Sequence, residues 1–181
     1  MVIECNEKGT REFYTEFLDT TFMYNSIKKK HDTKLKNQKK RYTLYAIILP
    51  ICTLAFAYFA AREQELIYVK VMYIVAAAML AVSFLLSLLV LVTYSKMLKN
   101  LMAADKSSRV TVDEDGITLE SDGDESVSMH WDDIMVVRDG KHSVIALPEN
   151  QKDPVIAIPE KYRAEFLEGV RTGSCGKMEI I

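Results

Sequence analysis

Three cysteines in 181 residues are too few, and too scattered, for a disulfide framework. Cys5 and Cys175 lie far apart and Cys52 falls inside an apolar run, so none is placed to pair in an oxidising compartment. Neither Cys5 nor Cys175 has a histidine within several positions, which argues against a catalytic thiol. Charge is missing from two long stretches: residues 42–61 and 71–95 contain no Asp, Glu, Lys, Arg or His. Those are the side chains that build ion pathways and proton relays within a bilayer, so their absence argues against a two-span channel or transporter acting alone. There is no Gly-rich phosphate loop, no Ser-His-Asp pattern and no paired-carboxylate constellation. His130, Asp132 and His142 are too few and too dispersed to predict a metal site. The expectation is a non-enzymatic protein without a cofactor.

What is present is two apolar runs of 20 and 25 residues. At about 1.5 Å per residue, a helix of either length crosses a hydrocarbon core of about 30 Å. The nine residues 62–70 suffice for an antiparallel hairpin, and Pro50 is expected to bend the first helix. Small residues recur every four positions (Ala57 and Ala61; Ala77 and Ala81; Ser83 and Ser87). Such stripes let backbones approach, either within the hairpin or between copies in a homo-oligomer. Tyr42, Tyr45, Tyr58, Tyr68, Tyr73 and Tyr94 suit the headgroup belts. The second run is expected to tilt, or to continue as a helix through Lys96, Leu98, Leu101 and Met102.

Charge divides the chain as sharply as hydropathy. Residues 1–108 carry a net charge of +6 and residues 109–181 a net charge of −8. The densest basic run, Lys28, Lys29, Lys30, Lys34, Lys36, Lys39, Lys40 and Arg41, abuts the first apolar run, whereas residues 62–70 hold two basic and two acidic residues. The bias of Lys and Arg toward cytoplasmic flanks predicts a multi-pass plasma-membrane protein with both termini in the cytoplasm. The 41 residues before the first run, rich in polar and charged side chains, predict that this span is retained rather than cleaved as a signal peptide. Lys28, Lys29, Lys30, Lys39, Lys40 and Arg41 are candidate contacts for anionic lipid headgroups, or act only to set topology. Nucleic acid is not expected, since no aromatic stacking platform is interleaved with the run. An arm of +7 facing a domain of −8 also predicts an attraction between the two that salt would screen over about 10 Å at 0.1 M.

Before the basic run, residues 10–27 open with a candidate N-cap, Thr10, and place Phe13, Phe17, Leu18, Tyr24 and Ile27 at helical spacing. This amphipathic helix is expected to lie either on the membrane surface or against the C-terminal domain. Residues 2–4 are short for a strand but would fit the edge of a sheet formed elsewhere.

From residue 109 the period changes to two. Strands are predicted at 109–113, 117–120, 127–131, 134–138, 142–147 and 155–158, with turns at 114–116 and 122–125 and at Asp139-Gly140, and with Gly116 at a position requiring positive φ. Six short strands at this spacing indicate an antiparallel meander curled into a small barrel or sandwich. Pro159 and Glu160 open a closing helix that stops at Gly173, with Tyr162, Phe166, Leu167 and Val170 as its apolar stripe. In the strand before Asp132, Trp131 falls with Met129 and Val127 on the apolar face, either as core or as an exposed recognition residue, and His130 and Asp132 fall on the polar face.

The order Gly116-Ile117, a strand ending at Trp131 followed by Asp133-Ile134, then Ile156-Ala157-Ile158-Pro159 and a closing helix, all after a two-span hairpin, resembles the bacterial YcxB-like proteins over about 140 residues. The resemblance implies a two-helix transmembrane hairpin followed by a small cytoplasmic domain like the pleckstrin-homology (PH) fold, an antiparallel β-barrel capped by a C-terminal helix. It implies a membrane address and no reaction. After Ile158-Pro159 the family commonly has a basic pair and an aromatic, whereas this chain reads Glu160-Lys161-Tyr162-Arg163.

The expected organisation is thus an amphipathic and basic arm (1–41), the hairpin (42–95), a juxtamembrane linker (96–108), the β domain with its helix (109–173) and a tail (174–181). Its expected role is that of a membrane-anchored scaffold presenting the β domain to an unidentified cytoplasmic or membrane protein, with His130, Trp131 and Asp132 as the candidate partner surface. The alternative is a sensor of anionic lipid or envelope state that works through the basic arm.

Overall fold

A computed structural model describes residues 1–6, 9–28, 37–63, 66–104, 107–121 and 126–181. The chain divides into two units, Lys36–Met97 and a second assembled from Met1–Leu35 together with Leu98–Ile181. The first apolar run forms helix α3, Gln38–Arg62, and the second forms α4, Ile67–Ala104. Both are long and apolar enough to cross a membrane. Asn37 caps α3, its side-chain oxygen accepting the Lys40 N–H at 2.8 Å. The helix α4 continues past the apolar run, through Leu98 and Met102, for 38 residues or about 57 Å. Aromatic rings join the two helices, with Phe56 and Phe59 at 6.1 and 5.9 Å from Tyr73. The expected small-residue stripes are only partly enclosed. Ser87 is buried and Ala77 and Ala81 are half-buried, whereas Ala57, Ala61 and Ser83 are exposed and Ala60 is buried instead.

The other unit begins with strand β1, Val2–Cys5, which pairs antiparallel with β2, Ser108–Val112. The register runs on through β3, Gly116–Ser121, and β4, Val127–His130, giving a four-stranded sheet in the order β1-β2-β3-β4. A single 3-10 turn, Trp131–Asp133, leads to a second antiparallel sheet of β5 (Ile134–Asp139), β6 (Ser143–Pro148) and β7 (Ile156–Pro159). These strands follow the expected ones to within a residue or two. Residues 122–125 lie outside the described residues.

Among the described residues the strands form two separate sheets and not a closed barrel. The 3-10 turn carries the chain from β4 to β5 with no ladder between them. One edge of the second sheet is taken by residues near the C-terminus, since Val137 bridges Ile180 in parallel and Asp139 donates its N–H to the Ile181 carbonyl at 2.8 Å.

Strand β6 is buried at all six positions because both faces of its sheet are covered. Val144 and Ala146 face a core shared with Val110, Ile117 and the closing helix α5, Arg163–Gly173. Ile145 and Leu147 face Met23, Tyr24 and Ile27 of the N-terminal segment. Such a strand reads as a continuous apolar run rather than an alternation. Phe166 and Val170 of α5 are fully buried, each contributing about 1.5–3 kcal/mol relative to an exposed position.

The amphipathic N-terminal segment packs on the second sheet. It forms two helices, α1 (Arg11–Phe22) and α2 (Tyr24–Lys28), broken at Met23. Thr10 caps α1 through the Phe13 N–H at 3.2 Å. The Glu16 carboxylate, almost fully buried, accepts the N–H groups of Lys141 (2.9 Å) and His142 (2.5 Å) in the β5–β6 turn. Gly140 permits this approach, because a Cβ there would overlap the Glu16 carboxylate. Arg163 holds the other side of the turn, pairing with Asp139 at 3.0 Å and donating to the Gly140 and Lys141 carbonyls. Burial pulls the Arg138 guanidinium below its ordinary pKa, and the Glu16 charge opposes that shift. At the end of the segment, the Tyr24 hydroxyl donates to the carbonyls of Pro148 and Glu149 at 2.9 and 2.7 Å.

Gly116 does not adopt positive φ; the left-handed residues among those described are Cys175 and Gly176. It is required for a different reason. It faces His130 across the β3–β4 ladder, and a Cβ would run into the Met129 backbone.

Two substitutions test this frame. Gly116→Ala should destabilise the protein by about 1–3 kcal/mol through overpacking against backbone that cannot yield, read as a lowered thermal midpoint in detergent. Glu16→Gln keeps the shape but loses the charge facing Arg138 and one acceptor for the turn. It should cost about 1–3 kcal/mol and speed hydrogen exchange at the Lys141 and His142 amides, while unchanged exchange there would contradict the assigned contact.

Candidate interaction groove

The residues after β4 do not continue the alternation. Strand β4 ends at His130, and the 3-10 turn swings Trp131 toward the β2–β3 turn. That turn is locked by Asp113, whose carboxylate accepts the N–H groups of Asp115 (3.0 Å) and Gly116 (3.1 Å), an Asx turn. Trp131 then fastens to it twice. Its backbone N–H donates to the Asp115 carbonyl at 3.2 Å and its indole N–H to the Asp113 carbonyl at 3.1 Å. Met129 is buried as expected, whereas Trp131 is half-buried, packed partly on the core and partly open.

Beside this indole lies a groove of about 660 Å³, lined by the β2–β3 turn, the 3-10 turn, the start of β5 and the segment after α5. A register shift between Ile134 and Val136 inserts an extra residue into β5, so that consecutive residues Ile134 and Met135 both reach the groove. Among its lining residues, Glu114, Asp115, Asp132 and Glu179 are acidic and exposed, against a single Lys177. The C-terminal end of α5 opens here, and its dipole adds negative potential. The volume is within the range of small-ligand and side-chain pockets.

All three residues of the expected partner surface, His130, Trp131 and Asp132, line this groove. The sequence missed its other wall. Glu114 and Asp115 read as solvated turn charge, and residues 174–181 read as a tail, although the alternation of Met178 and Ile180 is a faint strand signal. Met178 and Ile180 pack against the main core, which fixes the segment in place.

The described basic candidates belong to two different units. Lys28 ends α2 and forms an ion pair with Glu149 at 2.9 Å, beside a hydrogen bond to the Glu149 carbonyl at 2.5 Å. The bond to Glu149 raises the Lys28 pKa above its ordinary value. Lys39, Lys40 and Arg41 lie in the first turn of α3, in the other unit. Cations there oppose the helix dipole by about 0.3–1 kcal/mol each, so they do not serve the helix. Arg41 donates to the Tyr45 hydroxyl at 3.0 Å. Lys29, Lys30, Lys34 and Lys36 lie outside the described residues.

The cysteines differ in the way their surroundings require. Cys5, on β1, is buried, and burial pushes its thiol pKa up despite a hydrogen bond with Ser108. Cys175 is exposed at the groove. Among the described residues no group of three or more His, Cys, Asp or Glu side chains is arranged to hold a metal ion.

No family model, curated protein or solved structure matches the chain.

Maleimide should label Cys175 rapidly in the folded protein and leave Cys5 unmodified until denaturant is added, read by peptide mass spectrometry. Modification of Cys5 at a similar rate would mean that β1 is not docked.

Proposed function

We propose that this chain is a membrane-anchored, non-enzymatic interaction module of the YcxB-like kind. The hairpin of α3 and α4 crosses the plasma membrane with both termini in the cytoplasm, and the β unit is a PH-like domain that offers a protein or peptide partner its groove. The observation that supports this best is the arrangement at Trp131: a tryptophan held by one hydrogen bond from its indole and one from its backbone, partly open, at a concave surface. Such a ring binds without first being ordered, which lowers the entropic cost of recognition. Four antiparallel strands, three more and a capping helix fit the PH-like layout, although the sheets do not close. Tethering to a membrane would raise the effective concentration of a weak partner.

A second reading has one observation in its favour. Lys39, Lys40 and Arg41 adjoin exposed Leu44 and Ile47 at the start of α3, a pairing of positive charge with apolar surface that suits an anionic lipid. Lys28, in contrast, is engaged by Glu149.

Photocrosslinking in native membranes separates the two. A photoreactive residue at His130 should give a reproducible protein adduct, and one at Glu168, on the exposed side of α5, should give a weaker one or none. Adducts from His130 to lipid alone, or only to residues 28–41 of the same chain, would replace the interaction module with the lipid sensor.

A further inference from the structure

The chemistry of the groove narrows the partner. Four carboxylates and one ammonium line it, the last residue of the eleven-residue helix α5 borders it, and the indole of Trp131 forms part of its wall. A ring face attracts cations through its quadrupole, most strongly for tryptophan, and a guanidinium can stack on it while its N–H groups reach carboxylates. The acids come from three separate segments: the β2–β3 turn, the 3-10 turn and the residues after α5. Spread along a groove rather than gathered about one point, they suit an extended chain bearing cationic side chains, not a metal ion. Met135 and Met178 add pliant apolar surface for the stem of such a side chain.

We propose that the groove between the β2–β3 turn, Trp131 and the segment after α5 receives an extended, arginine- or lysine-bearing segment of a partner protein, with one cationic side chain laid over Trp131 and its charge among Glu114, Asp115, Asp132 and Glu179. The proposal rests on the interaction-module reading and gives it a partner chemistry. The net charge of −8 over residues 109–181 would steer such a segment toward the domain, and the groove supplies the place where it is ordered.

Trp131 is the single tryptophan of the chain, so its emission reports on this groove alone. The full-length protein is reconstituted into vesicles of zwitterionic phosphatidylcholine, which add no tryptophan and to which a basic peptide has little attraction. It is titrated with an acetylated, amidated Gly-Ser octapeptide carrying two arginines, free of aromatic residues. A saturable change in Trp131 emission is expected. The double variant Glu114→Gln, Asp132→Asn should weaken binding about five- to ten-fold. The double variant Glu165→Gln, Glu168→Gln removes the same charge from exposed positions of α5 outside the groove and should leave it within about two-fold.

Equal weakening in both variants would reduce the effect to general electrostatic attraction and overturn the proposal. Spermidine binding as tightly as the peptide would overturn it too, since the groove would then be a site for small polyamines. Thermal midpoints of both variants guard against misfolding, and anisotropy of a labelled peptide on Trp131→Phe tests the ring itself, with weaker binding expected and unchanged binding contrary. Failure here is distinct from failure of the interaction module. Should the His130 adduct to a protein persist in the Glu114→Gln, Asp132→Asn variant, a partner binds but not by this chemistry. If neither His130 nor Glu168 yields a protein adduct, the module reading itself falls.

Discussion

The pairing of β1 with β2 joins residues more than a hundred positions apart, and the rest of the β unit is arranged around it. Val2 sits opposite Thr111 and Cys5 opposite Ser108, while Met1 and Val112 exchange backbone hydrogen bonds. Among the described residues, the elements between them are all helices: α1 and α2, then the two long apolar helices. Loop-closure entropy rises only slowly with loop length, so a pairing at this separation is affordable once apolar burial accompanies it. Ile3 and Cys5 supply that burial against Val110, and α1 and α2 add a second contact area on the opposite sheet. The unit is therefore a domain with a hairpin inserted into it, rather than an arm, a hairpin and a domain in series.

That topology explains the mixed character of the N-terminal segment. Phe13, Leu18, Tyr24 and Ile27 form an apolar side that could serve a membrane surface equally well. What commits α1 to the sheet is polar: a buried glutamate capping a turn from one side while Arg163 grips it from the other. A carboxylate so enclosed is tolerated only with its hydrogen bonds made and a positive charge near, and Arg138 supplies the charge.

Periodicity revealed strands β2 to β7 and helix α5 because each is a local pattern: alternation broken by Gly, Asp and Pro, then an apolar stripe at helical spacing. It revealed the apolar helices for the same reason. It did not reveal what depends on distant partners. Residues 2–4 suit the edge strand that β1 forms, but four residues do not say which strand they pair with, and nothing in Glu16 itself distinguishes it from a solvated helix residue. Gly116 was rightly singled out but for the wrong cause, since a close backbone across the ladder and a left-handed turn both favour glycine. At the groove, Trp131 and its neighbours stood out by rarity and position, whereas Glu114, Asp115 and Glu179 look like any turn or terminal charge until the fold gathers them.

The inserted hairpin also has a consequence for biosynthesis. At about 5–20 residues per second, β1 leaves the ribosome roughly 5–20 seconds before its partner strand has been made. Over that interval Ile3 and Cys5, and the apolar side of α1, have no sheet to cover them, and both long apolar helices are synthesised meanwhile. The nascent β1 and α1 must therefore be kept from aggregating by their own polar residues, by a chaperone, or by resting on whatever surface receives the hairpin, until β2 arrives to pair with β1 and, later still, β6 arrives to cover α1 and α2.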